Sequence, residues 1–299
     1  MRAVLREKRG GRIASGPPRL VGPSGASVVR LGQTRDLRDL YHALLTMRWP
    51  TFLGGMAAAY IGANVVFALL YLAGGKSIAN ARPGSFADAF FFSVQTMATI
   101  GYGVMYPQTL YANLLMTGES LLGMIAVAIG AGLVFARVSR PTARVLFSRH
   151  AVIMPYDGVP TLMLRAANQR RNQILAAQVQ LTLARSETTR EGHAMRRFYD
   201  LRLSRSRSPL FALTWTIMHP IDGESPLRGA TQDSLRAAEA EIIVTLNGID
   251  ETFAQTIHAR HSFIADDLRW DSRFVDILST LPDGRRAVDY SRFHEVSPL

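Results

Sequence analysis

The stretch Thr99-Ile100-Gly101-Tyr102-Gly103 decides the fold, because it joins a predicted short helix to an apolar run long enough to cross a bilayer. Glycines at alternate positions free the backbone to turn successive carbonyl oxygens to one side. When copies of such a loop ring an axis, the carbonyls of Thr99, Ile100, Gly101 and Tyr102, with the Thr99 hydroxyl, can replace the hydration shell of a potassium ion. One copy makes only part of that cage, and five residues recur by chance, so the flanks must carry the reading.

Upstream, Pro83-Gly84-Ser85-Phe86-Ala87-Asp88 reads as a turn followed by a Ser N-cap with Asp at N3. This capping-box variant opens a helix from Phe86 to about Met97, ending at the loop. Its C-terminal carbonyls then favour a cation nearby. On either side lie the apolar runs. Residues 50–75 carry no charge and residues 110–136 carry only Glu119, and each exceeds the roughly 20 residues that hydrocarbon requires.

The formal net charge of +11 invites a nucleic-acid reading, but the cations lie where membrane topology wants them. Arginines and lysines crowd residues 2–48 and return at Arg137, Arg140, Arg144 and Arg149, while only Lys76 and Arg82 lie between the spans. This bias predicts a multi-pass protein of the inner membrane with both termini in the cytoplasm. No nucleic-acid motif accompanies the charge, so no nucleic-acid partner is expected. The absence of cysteine excludes a disulfide framework and thiolate metal sites. The first long apolar stretch begins too far in, and runs too long, for a cleaved signal.

Four segments follow. Residues 1–35 are Arg-, Gly- and Pro-rich and read as a cytoplasmic tail. Residues 36–48 place Leu37, Leu40, Tyr41, Leu44 and Leu45 at helical spacing, which suits an amphipathic helix lying along the interface, with Trp49 as an anchor. Residues 49–140 form the pore domain, and residues 141–299 turn to period-two alternation. Runs at 145–153, 161–166, 178–184, 210–217, 241–246 and 274–278 read as strands, and Pro155-Tyr156-Asp157-Gly158 and Pro282-Asp283-Gly284 as hairpin turns. A β-sandwich with one short helix from Thr231 to about Ala238 is predicted.

In the second span, Gly118, Gly123, Gly130 and Gly132 permit close helix approach. Gly123 and Gly130 are also candidate pivots. Glu119 is expected to face protein rather than lipid, hydrogen-bonded behind the loop.

Taken in order, Arg82-Pro83-Gly84-Ser85, Phe90-Phe91-Phe92-Ser93-Val94-Gln95-Thr96, the 99–103 loop, Ala136-Arg137-Val138-Ser139-Arg140-Pro141, Phe147-Ser148-Arg149-His150-Ala151-Val152-Ile153, His219-Pro220-Ile221-Asp222, Ser225-Pro226-Leu227 and Val288-Asp289-Tyr290-Ser291-Arg292-Phe293-His294 resemble the prokaryotic inward-rectifier potassium channels of the KirBac type. The likeness covers nearly everything from Asp36 to Glu295. It implies a homotetramer with a central pore, a slide helix, two transmembrane helices with a pore helix, and an immunoglobulin-like, all-β cytoplasmic sandwich. Potassium is then the permeant ion and no cofactor is implied.

The resemblance also assigns roles. Val127 stands where strongly rectifying members keep an acidic residue, and Asn247 where they carry Glu, so weak intrinsic block is expected. Phe135 falls at the helix-bundle crossing, where rings can close a gate by dewetting. Gly248 belongs to the segment resembling the loop at the cytoplasmic pore's apex, a second gate. Gln95 and Met105 stand where eukaryotic members place a Glu–Arg pair. Arg137 and Arg140 lie where the family binds anionic phospholipid, phosphoinositide among them.

Other constellations carry less. In His258-Ala259-Arg260-His261 a strand puts the imidazoles on opposite faces, which argues against a metal. The stretch with Arg202, Arg205 and Arg207 reads as an ion-paired strand. Without a phosphate loop or nucleophile elbow, no enzyme is expected, and no Rossmann fingerprint supports a nucleotide-binding regulator. A membrane-tethered β-sandwich with a vestigial loop is the alternative from another class.

Overall fold

The computed structural model describes residues 40–140, 142–280 and 282–299. The expected tail and the first residues of the slide helix lie outside them. The chain divides between Arg140 and Pro141 into two compact units.

In the first unit, α1 (Leu40–Thr46) is followed by α2 (Trp49–Ala73), β1 (Ile78–Ala79), α3 (Phe86–Met97), β2 (Tyr106–Pro107) and α4 (Leu110–Val138). α2 and α4 are long and apolar enough to cross a membrane. Pro50 sits in the first turn of α2, where its missing N–H costs nothing. The helices show no sharp apolar stripe. Leu53, Ile61, Val66 and Leu69 on α2, and Leu114, Leu121, Met124 and Ile129 on α4, are exposed on the single chain. Such surfaces need lipid or further protein around them. Between the spans a small core of Ala68, Tyr71, Ile78, Ala89, Phe92 and Ala112 fixes α3. Tyr71 meets Phe92 edge to face with centroids 5.0 Å apart.

α3 spans the residues its sequence predicts, and Ser85 Oγ accepts from the Asp88 N–H at 3.3 Å. The reciprocal half of the capping box is replaced. Asp88 instead takes the Arg82 backbone N–H at 2.8 Å and the guanidinium in a two-pronged contact, which a charged partner wins over a neutral amide.

The second unit is a β-sandwich. Its strands are β3 (Val145–Phe147), β4 (Ala151–Tyr156), β5 (Val159–Asn168), β6 (Ile174–Thr188), β7 (Ala194–Asp200), β8 (Arg207–Phe211), β9 (Thr214–Pro220), β10 (Glu241–Asp250), β11 (Gln255–Ile264), β12 (Leu268–Trp270), β13 (Ser272–Phe274), β14 (Leu278–Thr280), β15 (Arg286–Val288) and β16 (Val296–Pro298), with α5 (Gln232–Ala237) before β10. One sheet runs β11-β10-β6-β7 with β8 beside β6, and the other β12-β4-β5-β3 with β9 beside β5. On β6, Ala177, Val179, Leu181 and Leu183 point inward, while Gln178, Gln180 and Thr182 alternate with them. They meet Leu162, Leu164, Trp215, Ile217, Ile242, Val244 and Leu246 in one core, where truncating a buried Leu or Ile to Ala costs about 2–5 kcal/mol.

Three predicted strands are broken in two. The 145–153 run is interrupted at Ser148, whose hydroxyl accepts the Arg165 N–H at 3.1 Å. The 210–217 run divides between β8 and β9, which pair with different sheets. The 274–278 run contains no continuous strand, because Asp276 Oδ1 accepts the Leu278 N–H at 2.9 Å and turns the chain. Both expected hairpin turns are present, with Asp157 at φ 50° and Gly158 at φ 79° in the first and Gly284 at φ 82° in the second. Thr231 caps α5 through the Ser234 N–H.

Candidate pore segment and its surroundings

The 99–103 segment grows directly out of α3. Ala98 N–H still donates to Val94 O and Thr99 N–H to Thr96 O, both at 3.0 Å. The Ile100 and Gly101 N–H groups both turn back onto Gln95 O, at 2.8 and 3.3 Å, so one helix-terminal carbonyl holds the loop's first turn. Thr99, Gly101 and Gly103 have φ of 56°, 57° and 81°, whereas Ile100 and Tyr102 do not enter the left-handed region. Positive φ thus alternates with negative φ along the segment. A Cβ at Gly101 or Gly103 would meet no atom within 4 Å, so it is conformation rather than space that calls for glycine. Thr99 adopts the same region without that freedom, which costs roughly 1–2 kcal/mol.

Beyond the loop the chain is pinned. Asn80 Nδ2 donates to Val104 O at 2.8 Å, β1 pairs with β2, and Gln108 Nε2 donates to Lys76 O at 2.7 Å. Sequence reading found the loop but not Asn80, whose φ of 59° aims its amide at Val104.

On α4, Val127 and Phe135 stand 69% and 74% exposed on the single chain. Gly123 and Gly130 lie inside an unbroken helix. A Cβ on Gly123 would come within 2.6 Å of Met97 O, and one on Gly130 within 2.9 Å of Met56 Cε, so both glycines are packing sites for close approach.

Arg137 is held through both terminal nitrogens, while its buried Nε has no hydrogen-bond partner among the described residues. Its Nη1 donates to Leu44 O and its Nη2 to Met47 O at 2.6 Å, capping the C-terminal end of α1. The same guanidinium lies over the Trp49 and Phe52 rings at 4.7 and 4.4 Å. Arg140 makes one long contact, to Leu45 O at 3.4 Å.

In the second unit, Gly248 sits within β10 rather than in a loop. Across from it β6 bulges at Ala176, which has φ 48°, and a Cβ on Gly248 would strike the Ile174 γ2 methyl. The turn itself is residues 251–254, organised by Asp250. That carboxylate accepts Arg170 Nη1 at 3.1 Å, Asn172 Nδ2 at 2.9 Å and the Thr252 and Phe253 N–H groups at 2.9 and 3.3 Å. Burial alone would raise the Asp250 carboxyl, but these donors hold it below the usual carboxylate range.

The two histidines of β11 part as expected. His258 Nδ1 lies 2.7 Å from Asn247 Oδ1, and His261 stacks on Phe147 and meets Phe263 edge to face. Among the described residues no cluster of His, Cys, Asp or Glu suits a metal. The arginine stretch is not a strand before Arg207. Arg202 pairs with Asp222 at 2.8 Å, and Arg205 covers Trp215.

Residues 145–299 match the family model described as inward rectifier potassium channel C-terminal domain, and residues 58–140 match the one described as ion channel. The inward rectifier potassium channel Kirbac3.1 of Paramagnetospirillum magnetotacticum is 52% identical over 94% of this chain and 96% of its own length. The human G protein-activated inward rectifier potassium channel 1 is 34% identical over 87% of this chain and 56% of its own length. The human ATP-sensitive inward rectifier potassium channel 15 is 28% identical over 98% of this chain and 86% of its own.

Proposed function

Because the chain belongs to the inward rectifier potassium channel family, we propose that it assembles as a homotetramer whose four 99–103 segments line one pore and conduct potassium. The observation that carries this reading is the alternation of φ through Thr99, Ile100, Gly101, Tyr102 and Gly103 at the end of α3. Potassium sheds its water onto the main-chain oxygens of Thr99, Ile100, Gly101 and Tyr102 and advances by repulsion from the next ion. No bond is made or broken in the transported species.

Phe135 closes the inner end of the pore, where four rings exclude water from a narrow passage. Val127 offers no charge to hold polyamines or magnesium above that gate, so block is weak. The 251–254 turn, rather than Gly248 itself, forms the cytoplasmic constriction. Both termini face the cytoplasm of a bacterial inner membrane. Anionic headgroups reach Arg140 first, since Arg137 binds a phosphate only by releasing Leu44 and Met47.

Purified protein in liposomes tests the reading. Barium-sensitive potassium uptake that disappears in Gly101→Asp is expected. A fourfold particle that carries no such flux, with Gly101→Asp indistinguishable from it, would leave a membrane-tethered β-sandwich as the better account.

A further inference from the structure

Four buried polar side chains from three helices meet behind the 99–103 segment: Asn64 and Tyr71 of α2, Ser93 of α3 and Glu119 of α4. Tyr71 Oη donates to Glu119 Oε2 at 2.7 Å. Ser93 Oγ lies 2.9 Å from Asn64 Oδ1 and in hydrogen-bond contact with Glu119 Oε1. Asn64 Nδ2 donates to Tyr60 O at 2.8 Å and approaches Met97 Sδ at 3.5 Å. Since Tyr60 O can only accept, the amide orientation is fixed and Asn64 must present its oxygen to Ser93.

A carboxyl group in an apolar span is costly unless its partners hold it, and a satisfied buried network favours one arrangement of the elements that carry it. Here those elements are the pore helix and both spans. The cluster reaches Met97, two residues before Thr99, and Gly123 of α4 leaves room for the same residue's carbonyl, which a Cβ there would approach to 2.6 Å. Residues 95–105 hold no charged side chain, so no ion pair within that stretch braces the loop. Its height and rotation are set from behind, through α3.

We propose that Glu119 is a positioning residue for ion selection: with Tyr71, Ser93 and Asn64 it holds α3 where the 99–103 carbonyls discriminate potassium from sodium. This rests on the channel reading above. A ring of carbonyls loses discrimination once its members shift by about half an ångström, the tolerance general to built sites, so a hydrogen bond with no contact to the ion changes which ion passes.

The test uses full-length tetramers in liposomes, reading potassium and sodium flux on the same preparation. Tyr71→Phe and Ser93→Ala each remove one hydroxyl and little volume. Each is expected to lower the potassium-to-sodium ratio by about tenfold, the factor one net hydrogen bond is worth. Glu119→Leu should lower it further, and Glu119→Gln, which keeps an acceptor for Tyr71 and a hydrogen-bonding group opposite Ser93, should recover most of that loss. If Glu119→Leu fails to assemble, the two hydroxyl deletions carry the test. Unchanged ratios in both, with only a lower melting temperature, would overturn the inference while leaving the channel reading intact. Absence of potassium flux from the unaltered protein would overturn the channel reading and this inference with it.

Discussion

Asp250→Asn is the sharpest probe of the β-sandwich unit, because it removes one charge and almost no volume. The Asp250 side chain is 2% exposed, and its Oδ1 takes three donors, from Asn172, Thr252 and Phe253, that an asparagine oxygen can still accept. The other oxygen takes Arg170 Nη1, and there the substitution sets an NH2 group against a guanidinium. Losing one hydrogen bond between charged partners costs about 1.5–3 kcal/mol, which for a domain of this size lowers Tm by roughly 5–10 °C. Fluorescence-detected melting of the whole protein in detergent measures it. The folded carboxyl is held below its unfolded value. Its contribution is therefore complete above about pH 4 and is lost as pH falls through the folded value. The gap between wild type and Asp250→Asn should be constant from pH 6 to 8 and shrink in acid. A variant melting within about 1 °C of wild type at pH 7, or a gap that widens in acid, would refute the reasoning.

Gly248→Ala should destabilise by about 1–3 kcal/mol through overpacking against Ile174, and Ile174→Leu, which lacks the γ2 methyl, should restore part of the loss in a chemical denaturation series. Arg137→Lys keeps the charge but cannot span Leu44 O and Met47 O or cover two rings. Single-channel recording should show its open probability displaced by about 1–3 kcal/mol, whereas an unaltered value would mean that charge alone matters. Burial lowers the His219 imidazole below its ordinary value, and its ring nitrogens lie against Arg202 O and Ser225 Oγ. Its stabilisation is full above about pH 6.5 and declines as pH falls. His219→Gln should therefore weaken the dependence of melting temperature on pH between 7 and 5, and an identical profile would count against the neutral imidazole.

The sequence made the membrane unit legible because each of its signals is local. Ser85 and the Phe86–Met97 helix, the long apolar spans and the alternate glycines all act within a few residues. Gly248 was opaque for the opposite reason. Its role depends on a bulge at Ala176, far away along the chain, which only strand pairing brings opposite it. Similarly, nothing local distinguishes Arg137 held by Leu44 and Met47 from an arginine free to meet a phosphate. Strand ends at Ser148 and Asp276 were misread because a side chain's hydrogen bond to the backbone, not hydrophobic period, stops the ladder there. Glu119 was placed behind the loop by its isolation in an apolar span, but its partners needed three helices in register.

Ordinary extended chains coil because every residue shares one chirality and adds its twist to the last. From Thr99 to Gly103 the sign of φ changes at each step, so successive increments of twist oppose one another. In the tetramer proposed above, four such segments would stand side by side about an axis without winding around it. A mirror-image alanine, for which positive φ is the relaxed state, would fit at position 101 where its natural enantiomer is strained.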